Sequence, residues 1–226
     1  MAVTQTEARK ACVEKPVQID LPGISLGGLV SVPENPLGLV LFAHGAGSSR
    51  FSQRNRMVAS TLWKARLGSL LMDLLTEEEA ADRRLVFDVE RLAGRVEQAA
   101  DWVTGRPEGA GLPLGVFGAS TGAAAALIAC ARKRGLFQAV VSRGGRPDLA
   151  DTWLPLVEAP TLLVVGGNDR EVLQLNRQAR DRMVCTCELV EISGASHLFE
   201  EPGTLEEVAL LARDWFLRHL DGGPRP

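Results

Sequence analysis

Leu114-Gly-Val-Phe-Gly-Ala-Ser120-Thr-Gly-Ala-Ala-Ala-Ala126 is the stretch of this sequence that decides the fold. An apolar strand pattern runs directly into Gly118-x-Ser120-x-Gly122, and an alanine-rich helical pattern follows. A catalytic serine needs its hydroxyl raised clear of the backbone, which a sharp turn between strand and helix provides. Glycines suit such a turn because neighbouring chains come too close for a Cβ atom. The stretch therefore predicts a nucleophilic serine on a strand–turn–helix elbow; the alternative is a glycine-rich turn with a capping serine.

Short apolar runs alternate with longer helical patterns on both sides of this stretch. A parallel sheet with helices on both faces produces this alternation, and its doubly covered strands are apolar throughout. We therefore expect an α/β fold: a single domain with a mostly parallel central sheet of about eight strands, helices on both faces and no cap domain. The strand candidates are 17–21, 28–32, 37–43, 67–73, 114–118, 137–142, 161–166 and 186–192.

Helix signals occupy the segments between these runs. Apolar side chains recur at helical spacing over 87–103, and the small-residue run 123–131 ends in cations before Gly135. Thr204-Leu-Glu-Glu207 matches a capping box that opens a helix running to about Leu220. The segment 143–160 has room for at most one small helix, around 149–154, so we expect an open site.

Length and composition narrow the class of protein. The chain has 226 residues, of which 46% are hydrophobic and 23% charged, as in a soluble domain. The formal net charge of −3 argues against nucleic-acid or anionic-membrane partners. We expect a polar N-terminal segment (1–15), one domain over 16–222 and a cytoplasmic location, since the N-terminus lacks an apolar signal region. No metal-ligand spacing or nucleotide-binding loop is present, so we expect no cofactor and no metal.

A nucleophilic serine needs a base that is held by a third group. Two loops supply them in the chain order Ser, Asp, His: Thr161-Leu-Leu-Val-Val-Gly-Gly-Asn-Asp169, and Leu189-Val-Glu-Ile-Ser-Gly-Ala-Ser-His197. His219 lies near the end of the last helical pattern, where it suits the helix dipole, and His44 precedes the serine. We expect Asp169 and His197 to complete a catalytic triad with Ser120. The alternatives for the acid are Asp148, Asp151 and Asp73.

The oxyanion hole is expected to combine the backbone N–H of Thr121 with one from an earlier loop. Leu37-Gly-Leu-Val-Leu-Phe-Ala-His44-Gly-Ala-Gly-Ser-Ser49 supplies such a loop, and we expect the N–H of Ala46 to be the second donor. The His44 ring should brace this loop by hydrogen bonding. The alternative is an ordinary glycine-rich turn.

Arginines cluster in two loops near the expected mouth of the site. Ligands of open α/β sheets bind outside the carboxyl ends of the strands, where these loops lie. We expect Arg50, Arg143 and Arg146 to be candidates for binding a substrate carboxylate. The alternative is that they are solvated or paired with nearby acids such as Glu77–Glu79. The two clusters are Arg50, Arg54 and Arg56, and Arg143 and Arg146.

Together the His-Gly-Ala-Gly loop, the Gly-Ala-Ser-Thr-Gly elbow, the Gly-Asn-Asp loop and the Ser-His loop resemble the α/β-hydrolase superfamily. Compact size and loop pattern are closest to its dienelactone-hydrolase-related branch, over roughly Val30 to Leu220. True dienelactone hydrolases carry cysteine at the nucleophile position, where this chain has Ser120, which favours a broader esterase. The resemblance implies hydrolysis of small soluble carboxylic esters through an acyl-Ser120 intermediate. A thioesterase or lactonase with the same triad, or a non-catalytic binding protein, are the alternatives.

Overall fold

The apolar runs of the sequence become the strands of one sheet in the computed structural model, which describes residues 12–220. Most of the polar segment 1–15 and the end of the domain at 222 lie outside the described residues. The strands are β1 (Lys15–Leu21), β2 (Ile24–Ser31), β3 (Gly38–Ala43), β4 (Leu67–Met72), β5 (Leu114–Ala119), β6 (Phe137–Arg143), β7 (Thr161–Gly166) and β8 (Cys187–Ile192). The α-helices are α1 (Gln53–Lys64), α2 (Glu77–Ala80), α3 (Arg83–Val86), α4 (Val89–Thr104), α5 (Thr121–Arg132), α6 (Arg170–Arg180) and α7 (Thr204–His219).

The sheet has eight strands in the order β1-β2-β4-β3-β5-β6-β7-β8. β2 is antiparallel to β1 and β4, and the other neighbours are parallel. Every residue of β3, β4, β5 and β7 is buried, because helices cover both faces of the sheet. The predicted α/β class and mostly parallel sheet are confirmed. The carboxyl ends of β3, β5, β7 and β8 therefore lie along one edge, where the candidate loops begin.

Two layers of helices enclose the sheet. α1 and α7 pack together on one face, and α4, α5 and a 3₁₀ helix (Pro147–Leu156) pack on the other. α5 is buried from Thr121 to Ala131, which explains its run of alanines, since larger side chains would not fit between the sheet and its neighbours. The 3₁₀ helix is the only helix between β6 and β7 in this fully described part of the chain, as expected for a fold without a cap.

The largest boundary difference from the sequence prediction is at β2, and the cap of α7 also differs. β2 begins at Ile24, four residues before the predicted start at Gly28, because it pairs with β1 through a hairpin at Gly23, whose φ is +81°. The predicted capping box at Thr204 is wrong. Gly203 is the N-cap of α7, and the Thr204 hydroxyl instead donates to the carbonyl oxygen of Glu201 at 2.8 Å. A cap formed by a glycine backbone leaves no side-chain signal in the sequence.

None of the helices within residues 12–220 combines the length and the apolar character needed to span a bilayer.

Candidate active site

The elbow between β5 and α5 holds Ser120 in a conformation that L-residues rarely adopt, with φ 51° and ψ −121°. Its backbone is fixed on both sides by the loop after β6. The Ser120 N–H donates to the carbonyl oxygen of Arg143 at 3.2 Å, and its carbonyl oxygen accepts from the Arg146 N–H at 3.1 Å. These two hydrogen bonds stabilise the strained backbone conformation and hold the serine at the carboxyl edge of the sheet.

The glycines beside Ser120 are required by close packing. A Cβ on Gly118 would overlap the backbone of Ala123, and one on Gly122 would overlap the carbonyl oxygens of Ala43 and His44. Across the site, a Cβ on Gly45 would lie 3.0 Å from the Cβ of Ser120. The elbow and the loop after β3 are therefore in direct contact, which places the expected oxyanion loop against the candidate nucleophile.

Asp169 and His197 meet at the ends of β7 and β8. His197 Nδ1 lies 2.6 Å from Asp169 Oδ2, and the two side chains are 39% and 16% exposed. Asp169 occupies the N-cap position of α6 but makes no capping bond, because its carboxylate turns towards the histidine. Two further hydrogen bonds join these loops. The Asn168 side chain donates to the Gly194 carbonyl oxygen at 2.8 Å, and its backbone N–H donates to the Ala195 carbonyl oxygen at 2.9 Å. The carboxylate thus orients the ring and leaves Nε2 available as a base.

The alternative acids are engaged elsewhere. Asp148 accepts two bonds from Arg146 at 2.8 and 2.7 Å, and Asp151 pairs with Arg182 at 2.7 Å. Asp73 pairs with the guanidinium of Arg50. Of the four aspartates considered from the sequence, Asp169 is the one that bonds to His197.

Ser120 and His197 flank the same short segment. A Cβ on Gly144 would lie 3.5 Å from both Nδ1 and Cε1 of His197, and the preceding Arg143 carbonyl binds the Ser120 N–H. Gly144 has φ 51°, so it supplies both the backbone conformation and the space for the ring. Within residues 12–220 no hydrogen bond joins Ser120 Oγ to His197 Nε2. Catalytic bonds of this kind are often long in free enzymes and tighten on the substrate.

The loop after β3, the expected oxyanion loop, is braced by hydrogen bonds of the His44 ring, as the sequence predicted. His44 Nδ1 donates to the Gly45 carbonyl oxygen at 2.9 Å, and Nε2 accepts from the Leu74 N–H at 3.2 Å. This pair of bonds requires the neutral ring with its proton on Nδ1. Burial lowers the pKa of His44, which keeps the ring neutral.

Of the two expected oxyanion donors, the Ala46 N–H is already engaged within the protein. The Ala46 N–H donates to Thr121 Oγ1 at 3.0 Å. The Thr121 N–H has no hydrogen-bond partner among the described residues, so it is open to a ligand. A threonine after the nucleophile was the available signal, but nothing in the sequence says that its hydroxyl reaches the loop after β3.

Four of the five arginines near the site are paired with carboxylates. Arg50 pairs with Asp73, Arg54 with Glu200, Arg56 with Glu14 and Arg146 with Asp148. Arg50 and Arg146 are thus neutralised by partners that the sequence prediction did not assign. This arrangement favours the structural alternative for both of them.

Arg143 is the fifth arginine of the two clusters, and its surroundings differ from those of the other four. It is 7% exposed, has no carboxylate partner within the described residues, and its Nε has no hydrogen-bond partner. Its guanidinium reaches the buried Asn55 in the first turn of α1, with 3.5 Å between Nη2 and Oδ1, and lies 6.0 Å from the Phe199 ring. Burial and then the nearby charge of Arg54 lower the pKa of Arg143 to about 10, so it remains a cation at neutral pH.

A cavity of about 560 Å³ opens beside the oxyanion loop. Gly45, Ala46 and Gly47 form part of its wall, and Leu74 to Leu92 supply much of the remainder. This volume suits a small-molecule ligand. The sequence analysis did not predict this part of the cavity wall. The sequence nevertheless contains a signal for it, because Thr76-Glu-Glu-Glu79 forms the capping box that starts α2.

His219 lies far from these loops in the fold. It occupies the last turn of α7 and contacts Trp215 in a tilted arrangement with 4.5 Å between ring centroids. It precedes Leu220, which packs near the start of β3 and β5. Across the described part of the chain, no group of three or more His, Cys, Asp or Glu side chains is arranged to hold a metal ion.

An eight-stranded, mostly parallel sheet with a serine on the elbow after β5 and an Asp–His pair on later loops defines an α/β-hydrolase. The chain is 50% identical to a dienelactone hydrolase of Anabaena variabilis, covering 93% of this chain and 99% of that one, with a TM-score of 0.91. It belongs to the dienelactone hydrolase family. Est1E of Butyrivibrio proteoclasticus, 16% identical with a TM-score of 0.77, shares the fold over 90% of this chain and 98% of its own.

Two curated relatives from strains of Mycobacterium tuberculosis are 54% identical over 212 residues, or 93% of this chain. Their names assign them provisionally to the phosphoribosyl transferases. The chain spans about half the length of these relatives, 48%, so the name describes a protein about twice as long. No protein-family model matches the sequence.

Proposed function

We propose that this chain hydrolyses small soluble carboxylic esters through an acyl-Ser120 intermediate. The observation that carries the proposal is the 2.6 Å bond from His197 to Asp169, made beside a serine on a strained elbow. A half-buried carboxylate, an oriented imidazole and a partly exposed serine hydroxyl are the groups that activated-serine catalysis requires. Strained backbone at the serine is also typical of functional sites.

In the first half-reaction the proton of Ser120 Oγ passes to His197 Nε2 while Oγ bonds to the carbonyl carbon. The carbonyl π electrons move to the oxygen, which the Thr121 N–H at the start of α5 stabilises. Collapse expels the alcohol, which takes its proton from the His197 imidazolium. Water then attacks the acyl-Ser120 ester by the same route, with His197 as base and then acid. Asp169 remains ionised and stabilises the imidazolium throughout.

Ester, thioester and lactone carbonyls all suit this machinery, and the cavity of about 560 Å³ beside Ala46 has room for a small ester. A transferase reading has less support, because the residues that meet at the carboxyl edge are those of acyl transfer to water. The relatives with the transferase name extend well beyond the matched region.

We further propose that the substrate carries its own anionic group, bound by Arg143. A buried cation without a carboxylate partner is costly unless a ligand supplies the opposite charge. The first turn of α1, at the positive end of a helix dipole, and Arg54 add to the positive potential there. Since the Arg143 carbonyl bonds to Ser120, an anion at this guanidinium would lie close to the reacting ester.

A panel of esters, thioesters and lactones tests the proposed function. The wild-type chain should turn over short-chain esters and react with a fluorophosphonate probe, and Ser120→Ala should do neither. Thr61→Ala, which removes a half-buried hydroxyl from α1, is the matched control and should behave as wild type. If wild type and Ser120→Ala are equally inert to probe and substrates, the chain is a binding protein and the proposal is wrong.

A further inference from the structure

The Thr121 side chain has a hydrogen-bond arrangement that the mechanism above does not use. Its residue is 4% exposed, and its hydroxyl oxygen accepts the Ala46 N–H at 3.0 Å. A threonine hydroxyl can accept bonds and also donate one. No group within residues 12–220 accepts the Thr121 hydroxyl proton, so this donor is unused in the protein.

The position of this hydroxyl is fixed by two close contacts. Thr121 directly follows the nucleophile and is the first residue of α5. The loop that carries Ala46 packs against Ser120 through Gly45, with 3.0 Å between the Ser120 Cβ and a Cβ built on Gly45. The hydroxyl therefore lies in the crevice between elbow and loop, where the sequence predicts the oxyanion hole.

We propose that the Thr121 hydroxyl is itself an oxyanion donor. It accepts the bond from Ala46 and donates its own proton in a hydrogen bond to the carbonyl oxygen as negative charge develops. No proton is transferred and no covalent bond changes. The inference rests on the proposed hydrolase function, and it makes Thr121 a catalytic residue through its side chain as well as its backbone.

Three physical arguments favour donation over a passive role. A hydroxyl that accepts a bond from an amide becomes a better donor, because successive hydrogen bonds polarise each other. The bond to Ala46 also fixes the side-chain rotamer before substrate arrives, so little reorganisation is needed in the transition state. In this buried place the donor acts at low effective dielectric, where it is worth more than in water.

Thr121→Val tests the inference, because valine keeps the shape of threonine and removes the hydroxyl. We expect kcat on a short-chain ester to fall on the order of a hundredfold with KM little changed, as for the loss of one oxyanion donor. Thr121→Ser should retain kcat within a few-fold. Affinity for an arylboronic acid, which forms a tetrahedral adduct on the serine, should fall with kcat. Affinity for the product alcohol should not change.

Thr161→Val is the matched control. It removes the hydroxyl of another fully buried threonine, which donates to the Ala159 carbonyl oxygen at 3.0 Å at the start of β7. This variant should lose stability without losing kcat. Melting temperatures of all three variants separate damage to the fold from loss of the donor.

Unchanged kcat and boronate affinity in Thr121→Val would show that the hydroxyl is only structural and overturn the inference. A faster Thr121→Val enzyme would also overturn it, because the hydroxyl would then be blocking the Ala46 donor. Wild type is measured first with the fluorophosphonate probe and the ester. If wild type neither reacts with the probe nor hydrolyses the ester, the proposed function is wrong and the inference with it. If wild type is active, an unchanged Thr121→Val enzyme contradicts only the inference about Thr121.

Discussion

At the scale of single residues, the ion-pair partner of each charged side chain indicates whether a catalytic or a structural role suits that residue. Four aspartates compete for the acid role, and three of them are neutralised by arginines. Asp169 faces His197 instead. The sequence favoured Asp169 over the other three because it follows Ser120 in the chain order Ser, Asp, His and lies in the loop after a strand. It did not predict which arginines are paired, since ion pairs depend on loops that meet only in the folded chain.

Asp169→Asn should lower kcat by about 10³–10⁴-fold, because the amide favours the wrong tautomer and cannot stabilise the imidazolium. Asp148→Asn is the matched control: it removes a carboxylate of similar exposure from Arg146 and should leave kcat within a few-fold. Steady-state rates on one ester compare the two variants. A larger loss in Asp148→Asn would reassign the acid.

Arg143→Gln should lower kcat/KM for an anionic half-ester by roughly tenfold or more, the value of one charge-assisted contact. The dimethyl ester of the same acid should react at the wild-type rate. Arg56→Gln, which removes an exposed charge from α1, is the control. Melting temperature should not fall in Arg143→Gln, because an uncompensated buried charge is removed. If both esters respond equally, Arg143 does not bind the anion.

At the scale of elements, the site depends on loops that brace each other across the sheet edge. His44, after β3, holds the loop after β4 through Leu74, and Asn168, after β7, holds the loop after β8. Strand positions follow from local apolar runs, so the sequence predicted all eight strands. The short helices α2 and α3 did not emerge from periodicity, because four residues are too few to show a helical repeat.

The buried, hydrogen-bonded ring of His44 makes the free energy of unfolding depend on pH. Burial is the largest cause that lowers the pKa of His44 below its ordinary value of 6.5, against smaller opposing effects of Gly45 and Asp73. The unfolded chain therefore binds the proton more tightly than the folded chain. The contribution of His44 is complete above pH 6.5 and is lost as the pH falls from 6.5 towards the folded-state pKa.

His44→Gln should flatten this part of the stability curve, because glutamine does not titrate and its carbonyl oxygen can accept from Leu74. Urea midpoints of wild type and His44→Gln, measured between pH of about 8 and about 5, provide the comparison. The difference between the two proteins should shrink as the pH is lowered. Parallel curves would mean that protonation of His44 does not affect folding.

The cavity wall from Leu74 to Leu92 should limit the size of the substrate. Val86→Trp adds a large ring to this wall from the end of α3. We expect kcat/KM to fall for butyrate and longer esters while acetate is nearly unaffected, since each buried CH₂ contributes about 0.8 kcal/mol only where space receives it. Rates across an acyl series measure this. An unchanged series would place the acyl group outside this cavity.

At the scale of the whole molecule, fold and family are established over nearly the full chain, and the chemistry depends on one edge of one sheet. Apolar strands and the glycine–serine elbow made the architecture predictable, because both are local in sequence. The contact from Arg143 to Asn55 and the contact from Thr121 to Ala46 were not, since each joins segments far apart in the chain. The transferase name of the longer relatives concerns a protein twice this length.

Trapping the acyl-enzyme tests directly whether Ser120 is the nucleophile. The chain is mixed with p-nitrophenyl acetate, quenched in acid within the first turnovers and analysed by peptide mass spectrometry. The account predicts one acetyl group, on the peptide that contains Ser120, formed with a stoichiometric burst of nitrophenol and absent from Ser120→Ala. Acetylation of a different residue, or turnover by Ser120→Ala at the wild-type rate, would contradict it.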